Sequence, residues 1–305
     1  MVSYIISKKA HTLNLLDRPK GLKDHSKPTP YGGGIAIFIA SLIALFYGGD
    51  WRILLLGSGL FVMGLFDDIR PYSRYLKLIL QSLIAITTIL IGIRMEVVFF
   101  PEWLNILLSV IWIVGITNAF NIIDVMDGIA GGVALFAVST FIFITALGAG
   151  YYPLVAVSIA GGILGFMPYN FPKAKLFMGD AGSLFIGYAI AAIALKTSYT
   201  TANPIALFVP LLILFYPIFD TVYVVSLRLS RRRNPLAGSP DHFVLKLKAT
   251  GFPVHSIIAI IYLATLSLCE ASFIITRLSL TGAIIFYSIA CIIFVIFGVI
   301  LKGRT

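Results

Sequence analysis

The chain has 305 residues, of which 59% are hydrophobic and only 12% charged, and its mean hydropathy is +0.99. A soluble domain is nearer half apolar and a quarter charged, so these values exclude an ordinary soluble protein and favour a single membrane domain over residues 1–305. The formal net charge of +10 would also suit a nucleic-acid-binding protein, but the positions of the charges argue against nucleic acid as a partner.

Ten apolar stretches follow one another along the chain, and each is close to the length that crosses about 30 Å of hydrocarbon as a helix. They cover residues 33–48, 51–66, 76–93, 103–120, 128–149, 152–168, 182–196, 204–227, 255–277 and 280–301. The sequence therefore predicts an all-α polytopic membrane protein with about ten transmembrane helices and the lipid bilayer as its surroundings.

The placement of basic residues predicts the orientation of these helices. If all ten stretches cross the membrane, 19 of the 23 Lys and Arg residues fall in loops on one side. An excess of Lys and Arg marks the cytoplasmic side. We therefore expect a cytoplasmic N-terminal segment over residues 1–31 and a long cytoplasmic loop over residues 228–254, and we interpret the basic charge as a topology signal.

The acidic residues are concentrated on the same side. Nine of the 13 lie at or near the predicted cytoplasmic helix ends: Asp17, Asp24, Asp67, Asp68, Asp124, Asp127, Asp180, Asp220 and Asp241. Ionisable groups at membrane depth are costly and usually mark a functional site. This pattern predicts a polar cleft at the cytoplasmic face.

The first motif is Lys-Pro-Thr-Pro-Tyr-Gly-Gly-Gly at residues 27–34, just before the first apolar stretch. Glycines let backbone N–H groups approach an anion, and the N-terminus of the following helix adds its positive dipole end. On its own, a Pro- and Gly-rich helix start with a basic flank explains this loop at least as well.

The second motif is Asp67-Asp68 at the end of the second stretch, followed by Lys77 and Gln81. Two adjacent carboxylates repel each other unless a cation lies between or beside them. A simple hydrophilic end to a helix rarely needs both acids at the edge of the apolar run, so a functional role is favoured.

In the third motif, polar side chains recur at every third residue: Asn118, Asn121, Asp124 and Asp127. Each is adjacent to its predecessor on a helix, but each step drifts by about 60° and would turn the first and last to opposite sides. We expect the helix to loosen near Asp124 and to line a polar cavity. The segment has no Lys or Arg, so a metal ion is the natural cation, whereas polar contacts between helices explain two aspartates poorly.

The fourth motif runs from Phe177 through Asp180 to Ser183. Asp180 or Ser183 could serve only as a helix N-cap, but beside three other acidic clusters a metal ligand is favoured. Phe177 either stacks on a base or packs against the protein. In the long loop, the arginines at 231–233 are a topology anchor or a site for a lipid phosphate.

These motifs, in this order and spacing, resemble those of the polyprenyl-phosphate N-acetylhexosamine-1-phosphate transferases of glycosyltransferase family 4, which include phospho-N-acetylmuramoyl-pentapeptide translocase. The resemblance extends from about Asp17 to the C-terminus. The segment NAFNIID is similar to the N-acetylglucosamine branch, since the muramoyl-pentapeptide branch has a Thr before that Asp. Three features depart from the family: the helix before residue 17 is reduced to MVSYII, Val125 replaces a Gly, and the histidine-rich motif is reduced to His242.

The resemblance implies an enzyme that transfers a sugar 1-phosphate from a UDP-N-acetylhexosamine to undecaprenyl or another polyprenyl phosphate and releases UMP. It implies Mg²⁺, with Mn²⁺ as a substitute, and the bacterial inner membrane as the location. The expected donor is UDP-N-acetylglucosamine, for the first membrane step of cell-envelope polysaccharide synthesis. The alternative donor is UDP-N-acetylmuramoyl-pentapeptide of peptidoglycan synthesis.

The same resemblance assigns roles to individual residues. Those expected to be catalytic are Asp67, Asp68, Asp124 and Asp127. Those expected to bind substrate are Lys27, Lys77, Asn118, Phe177, His242 and Arg232. The expected metal ligands are Asn121 and Asp180.

Other readings remain open. A secondary transporter also uses intramembrane acids, but it places them near the bilayer midplane and often contains inverted repeats, and no repeat is found in this chain. An inactive lipid-binding scaffold of the same fold is a third interpretation, suggested by the reduced histidine motif. The sequence also leaves a homodimer open.

Overall fold

The computed structural model describes residues 2–9, 16–17, 29–148, 153–197, 209–234, 241–275 and 278–302. The chain forms two compact units, Met1–Thr197 and Ser198–Thr305. Most described residues in both units are α-helical.

The first unit holds nine helices among its described residues, with two very short strands near the start. In chain order they are α1 (Val2–Lys9), β1 (Leu16–Asp17), β2 (Thr29–Pro30), α2 (Gly33–Ser41), α3 (Ile43–Phe46), α4 (Trp51–Ile69), α5 (Arg74–Leu90), α6 (Glu102–Ile123), α7 (Ile129–Gly148), α8 (Leu154–Asn170) and α9 (Gly179–Lys196). The second unit holds α10 (Val209–Ile213), α11 (Phe215–Ser230), α12 (Phe243–Ala249), α13 (Val254–Ile275) and α14 (Leu280–Lys302).

Each apolar stretch is mostly helical where the structure describes it, so the predicted helical architecture is confirmed. By length and composition, four described helical segments can cross a membrane: Glu102–Ile123, Ile129–Ala146, Gly179–Lys196 and Val254–Ile275. Shorter apolar helical segments cover Gly33–Phe46, Leu154–Asn170 and Leu280–Ile293. Two of the predicted stretches are interrupted, at Leu42 and at Leu214.

The structure also contains small elements that the sequence did not predict. Strands β1 and β2 pair antiparallel over two residues each, with Leu16 opposite Pro30, and this short pairing leaves the all-α architecture unchanged. Thr29 precedes a proline, and a residue before proline is driven from the helical to the extended region. Both cysteines are free, and Cys269 is buried whereas Cys291 is exposed.

Helix α9 is the core of the first unit, because its residues are buried from Ala181 through Ala194. It consists largely of small and aliphatic residues on every face, which is typical of a fully buried helix. Glycines bring neighbouring backbones very close to it: a Cβ at Gly64 of α4 would lie 2.4 Å from the Asp180 carbonyl oxygen, and one at Gly34 of α2 would lie 2.3 Å from the Gly182 nitrogen. Small residues permit this kind of close helix packing in membranes.

A salt-bridge cluster fixes the C-terminal end of α9. Asp50, at the N-terminus of α4, pairs with Lys196 and, at 2.9 Å, with Arg52. Arg52 also donates to the Ile91 carbonyl oxygen at 3.1 Å. Burial alone would raise the pKa of Asp50, but hydrogen bonds from Arg52 and Lys196 outweigh burial and lower the pKa to about 2. Helices α4 and α9 and the end of α5 are thereby tied together at the end opposite Asp180.

In the second unit, α12 lies against the end of α11 through an aromatic cluster. The ring of Phe243 meets Phe219 edge-on at 5.5 Å between centroids and Tyr223 at 6.1 Å. Such tilted pairs contribute about 0.5–1.5 kcal/mol beyond the burial of their area. The cluster positions the first turn of α12, which follows His242.

Candidate active site

The N-terminus of α9 is the place where the predicted motifs meet. The first and fourth motifs are joined by backbone hydrogen bonds, because Phe177 donates to the Pro30 carbonyl oxygen at 2.8 Å and Gly33 donates to the Phe177 carbonyl oxygen at 2.9 Å. A Cβ at Gly33 would lie 2.1 Å from the ring of Phe166. Glycine at this position therefore serves close packing, and the loop lies directly beside Phe177 and Met178, which shortly precede Asp180.

Asp68 acts as a cap for α9 from another helix. Its carboxylate accepts the N–H of Asp180 at 2.8 Å with one oxygen and the N–H of Ala181 at 3.1 Å with the other. The first N–H groups of a helix lack partners within the helix, and a carboxylate there also interacts favourably with the helix dipole. Gly179 has φ of 75° and a Cβ there would lie 2.6 Å from Asp68, so the contact requires glycine.

Lys77 is the cation beside the Asp67–Asp68 pair. Its ammonium group forms an ion pair with Asp67 and another, at 2.6 Å, with Asp180. Asp67 is buried and also accepts the N–H of Tyr72 at 3.1 Å. One lysine from α5 thus holds carboxylates from α4 and α9 together, as charge repulsion between them requires.

Helix α6 supplies amides to the same site. Asn121 donates to the second oxygen of Asp180 at 3.0 Å and to the Ser183 hydroxyl at 3.0 Å. One turn earlier, Asn118 donates to Gln81 of α5 and to the Val114 carbonyl oxygen. The Gln81 amide nitrogen is buried and has no hydrogen-bond partner within the described residues.

The third motif leaves the helix where the spacing predicted. Helix α6 ends at Ile123, and residues 124–128 form turns before α7. Asp124 has non-helical angles, φ −80° and ψ 50°. Burial, and after it the negative charges of Asp180 and Asp68, raise the pKa of Asp124 to about 8. Its carboxyl group therefore lies within electrostatic reach of the Asp180 site.

Asp127 holds the segment that precedes α9 in place. Its carboxylate accepts the N–H of Ala174 at 2.9 Å. Beside it, the buried Asn170 accepts the N–H of Gly128 at 3.0 Å and donates to the Leu176 carbonyl oxygen at 3.1 Å. These bonds hold the segment before α9 against residues 124–128. The sequence interpretation missed Asn170, although an amide at the end of an apolar helix is a signal for such a contact.

The other residues predicted to bind substrate lie in different parts of the chain. The Phe177 ring is half-buried, and its centroid lies 6.4 Å from that of Tyr31 at an interplanar angle of 53°. Lys27 lies outside the described residues. His242 and Arg232 belong to the second unit, where His242 is buried against Asp220 and Arg232 is exposed with φ of 54°.

The site suits an open metal centre better than a closed one. Among the described residues, no three His, Cys, Asp or Glu side chains are arranged to hold a metal ion. Mg²⁺, however, commonly binds one or two protein groups and keeps water and substrate phosphate oxygens. Asp180 offers a carboxylate of this kind, and Asn121, whose amide nitrogen lies 3.0 Å from that carboxylate, would offer its amide oxygen once the amide group turns over, so the residues present fit a Mg²⁺ ion that arrives with a phosphate.

In this membrane scaffold, carboxylates, a lysine and amides gather at the N-terminus of one buried helix, and ionisable groups collected in this way usually mark a functional site. Comparison with known proteins gives the family: the model of glycosyl transferase family 4 matches residues 51–198. Together with the relatives below, this match shows that the chain belongs to that family.

The relatives in the family cover most of the chain. A probable undecaprenyl-phosphate N-acetylglucosaminyl 1-phosphate transferase of Bacillus subtilis is 34% identical over 86% of this chain and 78% of its own length. An undecaprenyl-phosphate alpha-N-acetylglucosaminyl 1-phosphate transferase of Thermotoga maritima is 30% identical over 78% and 74%. A phospho-N-acetylmuramoyl-pentapeptide-transferase of Lactobacillus helveticus is 31% identical over 58% of this chain and 65% of its own.

Proposed function

We propose that the protein transfers N-acetylglucosamine 1-phosphate from UDP-N-acetylglucosamine to undecaprenyl or another polyprenyl phosphate and releases UMP. The observation that carries the proposal is the convergence of Lys77, Asn121 and Asp180 at the N-terminus of α9. The names of the Bacillus and Thermotoga relatives, which align with most of this chain, support the same donor and acceptor.

The reaction joins two anions, so charge is its main obstacle. An oxygen of the lipid phosphate attacks the β-phosphorus of the UDP-sugar, a new P–O bond forms, and the bond from this phosphorus to the bridging oxygen breaks. UMP leaves with the bridging oxygen, and the bond between sugar carbon and oxygen stays intact. Catalysis of such transfers rests mainly on positioning and on electrostatic stabilisation of the phosphoryl group.

The residues around Asp180 divide this work. Lys77 neutralises the charge of a phosphate when its ammonium group turns away from its carboxylate partners. Asp67 keeps Lys77 at the site. Asp180 and Asn121 would hold Mg²⁺, which supplies charge neutralisation for the diphosphate when bound. The lipid phosphate has a second pKa of about 6 and is mostly dianionic at neutral pH, so no residue has to act as a base.

We place the site at the cytoplasmic face and assign about ten membrane crossings. Support comes from the helix ends that meet at the site, the C-terminal ends of α4 and α6 and the N-terminal ends of α5 and α9. Their connecting loops and neighbours include the basic residues at 70, 74, 173 and 175. An excess of such residues marks the cytoplasmic side, in the inner membrane of a bacterial cell.

N-acetylglucosamine is preferred over the muramoyl-pentapeptide for two reasons. The segment containing Asn121 and Asp124 is similar to the N-acetylglucosamine branch, and the muramoyl-pentapeptide relative aligns with a smaller share of this chain. A transporter is disfavoured because the acids lie at helix ends, whereas transporters place them near the bilayer midplane.

A donor panel tests the proposal. Purified protein with undecaprenyl phosphate and Mg²⁺ should release UMP from UDP-N-acetylglucosamine and refuse UDP-glucose, since a site built to bind the amide rejects a donor without it by about four orders of magnitude. Asp180→Asn provides the inactive control. Faster turnover of UDP-N-acetylmuramoyl-pentapeptide would overturn the sugar assignment, and no UMP from any UDP-sugar would overturn the reaction.

A further inference from the structure

Gln81 is a buried side chain of the first unit whose amide has an unused donor group. It lies on α5 and is only 2% exposed. Its Oε1 accepts a hydrogen bond from Nδ2 of Asn118 on α6, whereas its Nε2 has no hydrogen-bond partner within the described residues. A buried donor without an acceptor is destabilising and is uncommon in folded proteins, so the amide of Gln81 requires an explanation.

The contacts of Asn118 fix the orientation of the Gln81 amide. Nδ2 of Asn118 also donates to the Val114 carbonyl oxygen, at 2.8 Å. If the Asn118 amide were turned over, its oxygen would face that carbonyl oxygen; if the Gln81 amide were turned over, two NH₂ groups would face each other. Oε1 of Gln81 therefore stays on Asn118, and the unused group is an NH₂ group, which only donates. The partner that Gln81 lacks is a hydrogen-bond acceptor.

Gln81 and Asn118 form a second polar layer next to the layer that contains Asp180. In the Asp180 layer, Lys77 of α5 and Asn121 of α6 both donate to the Asp180 carboxylate. Gln81 follows Lys77 by four residues, and Asn118 lies three residues before the end of α6 that reaches Asp180. Each separation is about one helical turn. The second layer therefore lies about one turn further from the N-terminus of α9, towards the interior of the membrane.

Helix α6 leaves open space beside this second layer. Asn118 is partly exposed, and Gly115, three residues earlier and thus adjacent on the helix surface, is exposed. A Cβ at Gly115 would meet no described atom within 4 Å. A ligand can therefore approach the pair of Gln81 and Asn118 along α6.

The direction of the proposed reaction identifies the acceptor group. In phosphoryl transfer the attacking and leaving oxygens lie roughly in line on opposite sides of the phosphorus. In the proposed orientation UMP leaves towards the cytoplasm, so the lipid phosphate attacks from the membrane side, where the second layer lies. Phosphate oxygens are strong acceptors, and hydrogen bonds to an anion are stronger than those between neutral groups.

We infer that Gln81 binds the phosphate of the polyprenyl acceptor through Nε2, while Asn118 holds the Gln81 amide in its donating orientation. This inference rests on the proposed transfer reaction and deepens it, because it separates a position for the acceptor phosphate from the donor position at Lys77 and Asp180. The acceptor phosphate reaches Nε2 once Lys77, one turn away, leaves its carboxylate partners.

Binding to the full chain in detergent, without any UDP-sugar, tests the inference independently of turnover. The two probes are farnesyl phosphate, a short polyprenyl phosphate, and UMP, which carries the nucleotide of the donor; isothermal titration calorimetry measures both. Gln81→Glu keeps an oxygen for Asn118 but replaces the NH₂ group with an acceptor. It should weaken binding of farnesyl phosphate by about 10- to 100-fold and leave UMP binding unchanged.

A second variant controls for the added charge. Gln81→Met removes the amide without adding a carboxylate and should also weaken binding of farnesyl phosphate. If only Gln81→Glu weakens it, the effect is charge repulsion and the inference is wrong. The inference is equally wrong if both variants weaken UMP binding as much as farnesyl phosphate binding, or if neither variant changes the binding of either probe.

Steady-state kinetics tests the same position during turnover. Gln81→Met should raise KM for undecaprenyl phosphate by about 10- to 100-fold and leave KM for UDP-N-acetylglucosamine unchanged. Thr88→Val is the matched control, since it also removes a buried polar group from α5, a hydroxyl 3.0 Å from the hydroxyl of Tyr188, and it should change neither KM. An equal rise in acceptor KM in both variants would refute the inference. Absence of UMP release by the unaltered protein would refute the proposed reaction, whereas farnesyl phosphate binding would still decide the role of Gln81.

Discussion

Replacing Asp68 with asparagine separates a structural role for this aspartate from a chemical one. The carboxylate caps α9 by accepting the N–H groups of Asp180 and Ala181 at 2.8 and 3.1 Å. An asparagine keeps the size of the side chain but offers one accepting oxygen and one donating NH₂ group. One of the two N–H groups must then face another donor.

The magnitude follows from these contacts. A donor left without a partner at a partly buried site costs about 1–3 kcal/mol, and the loss of the negative charge at the helix N-terminus adds about 0.3–1 kcal/mol. The first turn of α9 should loosen, which moves Asp180 relative to Lys77. A misplacement of about 1 Å in a catalytic arrangement can cost about 100-fold in rate.

The assay compares two variants for thermal unfolding in detergent and for UMP release. Asp68→Asn should lose both stability and activity. Asp180→Asn is the matched control, because it keeps both bonds to Asp68 and should abolish Mg²⁺-dependent turnover while the protein still folds. If Asp68→Asn unfolds at the same temperature as the unaltered protein and is nevertheless inactive, the capping role is wrong and Asp68 takes part in the chemistry.

Three further outcomes are expected. In a background without native cysteines, Ser73→Cys should react with an impermeant reagent only from the cytoplasm and Glu102→Cys only from outside; the opposite result would reverse the proposed orientation. Gly64→Ala should destabilise the protein by about 1–3 kcal/mol, because the new Cβ would lie 2.4 Å from the Asp180 carbonyl oxygen. An unfolding temperature equal to that of the unaltered protein would contradict this packing. Lys77→Met should lower kcat by about 100- to 1,000-fold, and near-normal turnover would exclude Lys77 from phosphate binding.

Much of the fold was predictable because hydropathy reports the helices directly. The break after α6 was predictable too, since a polar spacing of three cannot keep one face on a regular helix. The interruption at Leu214 also has a local cause: Pro217 cannot donate to the Ile213 carbonyl oxygen and its ring crowds that turn. We have no physical account of the interruption at Leu42.

The site was predictable in its residue types but not in its pairings. Sequence motifs indicated that Asp68 and Asp180 matter, yet they are 112 positions apart, and no local pattern states that the first accepts the backbone N–H of the second. The same holds for Asp220 and His242, which are 22 positions apart. Their pairing depends on how α11 and α12 pack, which hydropathy does not report.

Charge balance at the N-terminus of α9 links these pairings to the proposed chemistry. Within the described part of the chain, Asp67, Asp68 and Asp180 face one lysine, Lys77. Such a group is net negative when its carboxylates are ionised, and by itself it would repel a diphosphate and a lipid phosphate. Binding of either substrate therefore favours additional positive charge, and oxygen ligands with no closed cage suit a hard divalent cation that shares the substrate's phosphates. The excess of carboxylates, which would be a defect in an inert membrane protein, is thus what the proposed use of Mg²⁺ requires.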